Sequence, residues 1–155
     1  MRFSTRTTYG LKAMVDLALH EGQGPIPVAA IAKRQGIPMR YLEQLLHRLR
    51  RANLVVAERG ARGGYHLHRS PSQISVADIV QVFEAKPVRR PRAAGRDPST
   101  SRGPQESRIA VDHATSLVWT RIEVAITTAL ATTTLAELAT EARRRHTNHT
   151  FTFHI

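Results

Sequence analysis

The chain has 155 residues, 41% of them hydrophobic, and its 23 Lys and Arg outweigh 12 Asp and Glu for a formal charge of +11. That length supports one domain, or a small domain with an appended helix. The absence of cysteine removes disulfides, thiolate metal sites and cysteine nucleophiles from consideration. No stretch approaches the roughly 18 consecutive apolar residues of a membrane span, and Met1-Arg2-Phe3 runs into a helical pattern without a signal-peptide core, so a soluble, cytoplasmic protein with no membrane partner is expected. The charge is uneven: Lys and Arg exceed Asp and Glu by 13 to 6 in residues 1–86 and by 6 to 2 in 87–108, and balance at 4 to 4 in 109–155. A basic module joined to a neutral one predicts a polyanion-binding end and an end that does something else, such as pairing.

In chain order, Ser4 is an expected N-cap for a helix running to about His20, with Leu11, Met14, Val15 and Ala18 on one face. Glu21-Gly22-Gln23-Gly24-Pro25 ends it. A short second helix follows over 28–35, with Ala29, Ile31 and Ala32 inward and Gly36 as its left-handed stop. After Gly36-Ile37-Pro38, Leu42, Leu45, Leu46 and Leu49 form one apolar stripe at i, i+3, i+4 and i+7, while Arg40, Gln44, His47, Arg48 and Arg51 fall on the opposite side. Asn53 is the expected stop of this third helix. Leu54-Val55-Val56 reads as a short strand, Arg59-Gly60-Ala61-Arg62-Gly63-Gly64 as a turn, and Tyr65-His66-Leu67-His68 as the returning strand. Gly63 and Gly64 are expected to supply the positive φ of a tight hairpin.

Ser75 caps a fourth helix carrying Val76, Ile79, Val80 and Phe83 inward. The run KPVRRPRAAGRDPSTSRGPQ then offers almost no large apolar residue and no packed structure is assigned to it. Residues 109–131 resume as a long helix, with Val111, Val118, Ile122, Ala125, Ile126 and Ala129 in one line and Leu117, Trp119, Val124 and Leu130 around the sides. A helix apolar on more than one face needs more than one neighbour to bury it. A further short helix is expected from Thr134 to the cations Arg143-Arg144-Arg145, and the alternating tail Thr150-Phe151-Thr152-Phe153-His154-Ile155 fits a short strand.

The expected fold is therefore mainly α with a small β-hairpin wing: a winged helix-turn-helix head over 1–85, a flexible basic linker over 86–108, and a dimerisation helix, short helix and tail over 109–155. In a helix-turn-helix the second helix enters the major groove with its N-terminal residues at the base edges. Arg can bridge guanine, Gln can pair with adenine and Glu can accept from cytosine, so side chains that read bases are present there. Simpler roles compete. Arg48, Arg50 and Arg51 fit either a solvated basic face or phosphate contacts, Tyr41 fits either the edge of the leucine stripe or a DNA contact, and Trp119 fits core or dimer packing.

The run VAAIAKRQGIPMRYLEQLLHRLRRANLV followed by RGARGGYHL, with Leu117-Val118-Trp119 and Thr134-Leu135-Ala136-Glu137-Leu138 further on, resembles the IscR/NsrR-type winged-helix transcriptional regulators of the Rrf2 family. The resemblance implies a homodimer paired through the long helix, with the apolar line Val111, Val118, Ile122, Ala125, Ile126 and Ala129 as the expected seam, and control of transcription from a palindromic double-stranded operator; repression is the expected direction, with activation the alternative. It places base-reading positions at Met39, Arg40, Tyr41, Glu43 and Gln44 and a minor-groove arginine at Arg59, with Arg62 a second candidate, and beside a turn-helix and wing the basic outer face of the same helix, His47, Arg48 and Arg51, is expected to add DNA contacts. Many members of that family hold an iron–sulfur cluster on three cysteines and a histidine. Here there is no cysteine, Ser116 stands three before Trp119, and His113 falls near the last cysteine position, so a thiolate-ligated cluster is excluded and no cofactor is expected.

His113, His146, His149 and His154 are nitrogen donors, but their spacing matches no closed metal motif, and no metal site is assigned. The sequence contains no P-loop, dinucleotide fingerprint, HExxH or nucleophile elbow, so no enzymatic activity is expected. Two other readings stand beside the specific regulator. One is a winged-helix module that binds nucleic acid without sequence preference, and the other is a regulator controlled by a protein docking on the late helices. Any small ligand or protein effector is unidentified, with the junction around Asp112, His113 and Trp119 as its expected location.

Overall fold

The computed structural model describes residues 3–84 and 105–150, with side chains placed over 3–84 and 111–146. Six helices and one hairpin follow in the order α1 (Thr5–Leu19), α2 (Val28–Gln35), α3 (Met39–Arg51), β1 (Val55–Glu58), β2 (Gly64–Leu67), a single 3-10 turn (Pro71–Gln73), α4 (Val76–Phe83), α5 (Gln105–Thr132) and α6 (Leu135–Thr150). Of the expected linker over 86–108, residues 86–104 lie outside the described residues, as does the tail at 151–155, while 105–108 are the first turn of α5 rather than linker.

Local chemistry sets most of these boundaries. Ser4 caps α1 by accepting from the Thr7 amide, and Gly36 ends α2 at φ 63°. Asn53, also left-handed at φ 55°, turns the chain out of α3, a conformation that asparagine tolerates better than most residues. Ser75 and Asp78 form a reciprocal capping box at the start of α4.

The core is built on the α3 leucine stripe. Leu42, Leu45, Leu46 and Leu49 are all buried and meet Ala13, Met14 and Leu17 of α1, Ile31 of α2, Leu54 and Val55 at the base of the hairpin, and Ile79 and Phe83 of α4. Burial on this scale stabilises by about 1.5–3 kcal/mol per large apolar side chain. Ala29 does not join it. It is exposed, and Val28 and Ala30 pack against the core instead, because at 100° per residue Ala29 lies about 160° round α2 from the buried Ile31.

The hairpin pairs Val55 with Leu67, Val56 with His66, Ala57 with Tyr65 and Glu58 with Gly64. Ile26 adds a one-residue third strand, donating to Tyr65 O at 2.8 Å and accepting from Tyr65 N at 2.9 Å. This explains the glycines differently from the expectation. Gly60, at φ 115°, is the hairpin-loop glycine with positive φ, whereas Gly63 and Gly64 have ordinary φ. A Cβ on Gly64 would run into the Ile26 carbonyl, and one on Gly63 into that of Glu58. Close backbone approach, not turn handedness, requires them.

The late helices depart from the expected boundaries in three ways. α5 starts at Gln105 rather than 109, because its first turn consists of polar residues compatible with a helix but invisible to an apolar pattern. α6 continues through Thr150 instead of stopping at the arginine triplet. Nothing after Arg145 breaks a helix, and Glu141 pairs with Arg144 at 2.8 Å and Arg145 at 2.7 Å along its surface. Finally, Leu135 and Ala139 of α6 are core residues alongside α1, so this helix shares the head's core. The α5–α6 junction is pinned by Leu135 N donating to Ile74 O at 2.8 Å and Val76 N donating to Thr133 O at 2.9 Å.

Candidate nucleic-acid interface

With its leucines turned into the core, α3 must present the remaining residues outward. Arg40, Glu43, Gln44, His47, Arg48 and Arg51 are exposed and line one shallow groove along the helix, with Met39 exposed at its leading end. None of Arg40, Arg48, Arg51, Arg59 or Arg62 is in a salt bridge with a described carboxylate. Their charge is therefore available to an external polyanion. Arg59 and Arg62 occupy the exposed loop between β1 and β2. That loop is braced from below by Glu58, which lies 3.0 Å from His66 Nε2 across the hairpin.

Tyr41 is half-buried, and its ring meets Tyr9 of α1 edge to face, with centroids 6.0 Å apart and planes at 79°. The packing reading of Tyr41 is thus the one its surroundings carry: it lies against the core through Tyr9 and does not line the groove.

A buried carboxylate ties α1 to the first helix of the helix-turn-helix. Asp16 is 1% exposed, and it accepts from Arg34 Nε at 2.9 Å, Arg34 Nη2 at 2.7 Å and Gln35 Nε2 at 2.8 Å. Hydrogen bonding to Asp16 raises the Arg34 pKa further above its ordinary value, against the desolvation that opposes it. The pair ties α1 to the last turn of α2, immediately before the turn into α3. Sequence reasoning missed this network, although an acidic residue inside the apolar pattern of α1 was its signal.

On α5, Val111, Val118 and Ile122 are 59%, 55% and 39% exposed, with Ala125 and Ala129 exposed and Ile126 half-buried along the same line. Leu117 and Val124 are exposed on another side, and Trp119, 42% exposed, is not a core residue of the head. Asp112 and His113 are exposed on α5, and Ser116 is half-buried. Among the described residues no three His, Asp or Glu side chains converge as a metal site. His146 is exposed on α6, the His149 side chain is not described, and His154 lies outside the described residues. No described helix is long and apolar enough to cross a membrane.

A helix-turn-helix with an arginine-bearing wing and an exposed basic second helix defines a DNA-binding transcriptional regulator. The chain belongs to the Rrf2 family, described as iron-dependent transcriptional regulators, whose model matches residues 3–141. It is 39% identical over 138 residues to the HTH-type transcriptional regulator IscR of Sodalis glossinidius, covering 89% of this chain and 78% of that protein. Among solved structures it is similar to CymR, the global cysteine regulator of B. subtilis, with TM-score 0.73, 35% identity and coverage of 91% of this chain and 98% of that one. It is also similar to IscR of T. potens, with TM-score 0.70, 37% identity and coverage of 92% and 88%.

The iron in the family description has no thiolate partner here. The chain contains no cysteine, and the donors around His113 are a carboxylate and a hydroxyl on an exposed helix face. This residue set does not fit a cysteine-ligated iron–sulfur cluster.

Proposed function

We propose that this regulator is a homodimer that reads a palindromic operator through α3, inserts Arg59 and Arg62 into the flanking minor groove, and represses by occupying promoter DNA. The observation that carries the reading is the exposed front of α3, where Arg40, Glu43 and Gln44 precede His47, Arg48 and Arg51 along one groove, with Met39 exposed at its leading end and Tyr41 half-buried beside it. Arg, Gln and Glu at the front supply bidentate and acceptor groups for base edges, and the cations behind them suit phosphates. A module without sequence preference would need only the second set. Pairing through Val111, Val118, Ile122, Ala125, Ile126 and Ala129 is supported by the exposure in the single chain of all of them but Ile126, which is half-buried on the same line.

The experiment is selection of genomic fragments by the purified protein, followed by sequencing. Recovery of a shared two-fold-symmetric motif is expected. Recovery of fragments without any motif would overturn specific readout and favour the non-specific module. Transcription from a promoter bearing the motif should then fall as protein is added.

A further inference from the structure

We infer that Lys12, on the exposed side of α1, is a DNA-backbone contact, and that the Tyr9–Tyr41 ring pair is the positioning element that sets it beside α3. The inference rests on α3 being the helix that enters the groove. At 100° per residue, Tyr41 lies about 20° from Arg48 and about 60° from Gln44 around α3, so it marks one flank of the reading face. A helix roughly 10–12 Å across fills a major groove about 12 Å wide, and its flanks therefore abut the sugar–phosphate strands. The element next to Tyr41 on that flank is α1, through the ring of Tyr9.

Lys12 is exposed, and its Nζ sits 5.7 Å from the centroid of the Tyr9 ring. The ring shelters the ammonium stem without neutralising it. The carboxylate one turn further along α1, Asp16, is buried and already bonded to Arg34 and Gln35, and no described carboxylate forms a salt bridge with Lys12. A free cation held at the edge of the reading face is what a phosphate contact requires. Arg6 provides an internal contrast: it carries the same charge on the same helix, but lies about 120° round α1 from Lys12 and acts on the Glu84 carboxylate instead.

A phosphate contact contributes affinity without sequence information, and each one adds about 0.9 to the slope of log affinity against log salt. The test measures binding of the full chain to mixed-sequence duplex DNA, and to the fragments it selects, across a salt series. Lys12→Gln is expected to weaken both by the same factor and to flatten the slope by about one per engaged protomer. Lys12→Arg should retain the slope, and Arg6→Gln should leave it nearly unchanged. In a Tyr9→Leu background, Lys12→Gln should change the slope less, which a merely structural role for Tyr9 would not produce. A Lys12→Gln protein with the parent's affinity and slope, alongside an Arg51→Ala protein that loses both, would overturn the inference and leave the reading of α3 standing. If Arg51→Ala also leaves the slope intact, both fall together.

Discussion

Asp16 shows how a single side chain reaches the interface without touching it. Its carboxylate is buried, Arg34 closes on it from α2 as the balancing cation, and Gln35 adds a further hydrogen bond. Arg34→Ala would leave that charge with Gln35 as its principal donor, so a loss of about 2–3 kcal/mol of stability is expected, read as a lower urea midpoint at unchanged m-value. Glu84 plays the corresponding part at the other end of α1. It accepts from Ser4 N at 3.0 Å and Thr7 Oγ1 at 2.7 Å, and hydrogen bonds from Ser4 and then Thr7 hold its carboxyl below the usual glutamate range. A carboxylate with a depressed pKa stabilises the fold above its unfolded pKa and loses that contribution as pH falls through the folded one. Glu84→Gln should accordingly be less stable than the parent at neutral pH, and the gap should close as pH drops below about 4. Thermal melts at several pH values check this; a gap independent of pH would assign Glu84 a packing role only.

At the scale of elements, α3 carries two kinds of side chain on one face, and the proposed roles separate them. Glu43→Ala or Gln44→Ala should change preference at particular operator positions by about 1–3 kcal/mol, whereas Arg51→Ala should weaken all sequences alike. Competition among operator variants distinguishes them, and an unchanged ranking with Glu43→Ala would remove it from the readers. These residues were legible in the sequence because a strict i, i+3, i+4, i+7 leucine stripe leaves no ambiguity about the opposite face. Caps at Ser4, Gly36 and Ser75 were legible for the same reason, since each satisfies a local need. What escaped were the non-local pairings. The Ile26 bridge, the burial of Asp16 and the anchoring of Leu135 against Ile74 join residues far apart in the chain, and no local pattern encodes their partners. Gly64 is the instructive case: its identity pointed to a turn, but its cause is the Ile26 backbone lying against it.

At the scale of the molecule, the proposed pairing and the expected signal both concern α5. With no cysteine to ligate a cluster, operator affinity is expected to be the same under air, under anaerobic reduction and after chelation, measured by fluorescence anisotropy. A tenfold change, about 1.4 kcal/mol, on chelation would instead point to a metal bound through other donors. Pairing has a more direct structural argument. Thr115 Oγ1 donates to Val111 O at 3.0 Å, Thr120 Oγ1 to Ser116 O at 3.0 Å and Thr133 Oγ1 to Ala129 O at 2.8 Å. Hydroxyls satisfied within the helix can be covered without leaving an unpaired donor. The stripe of Val111, Val118, Ile122, Ala125 and Ala129 repeats at helical spacing and is exposed, while the α5–α6 junction is fixed to the head. A second copy covering that stripe would hold two heads at one separation, which sets half-sites about one helical turn of DNA apart or a simple multiple of it. Val118→Glu with Ile122→Glu should therefore leave the head folded, because both positions are exposed in the single chain, yet produce monomers that bind an isolated half-site far better than they distinguish a correctly spaced pair. Sedimentation velocity and a spacing series measure the two effects together; a dimer that survives both substitutions would move the pairing surface off this stripe.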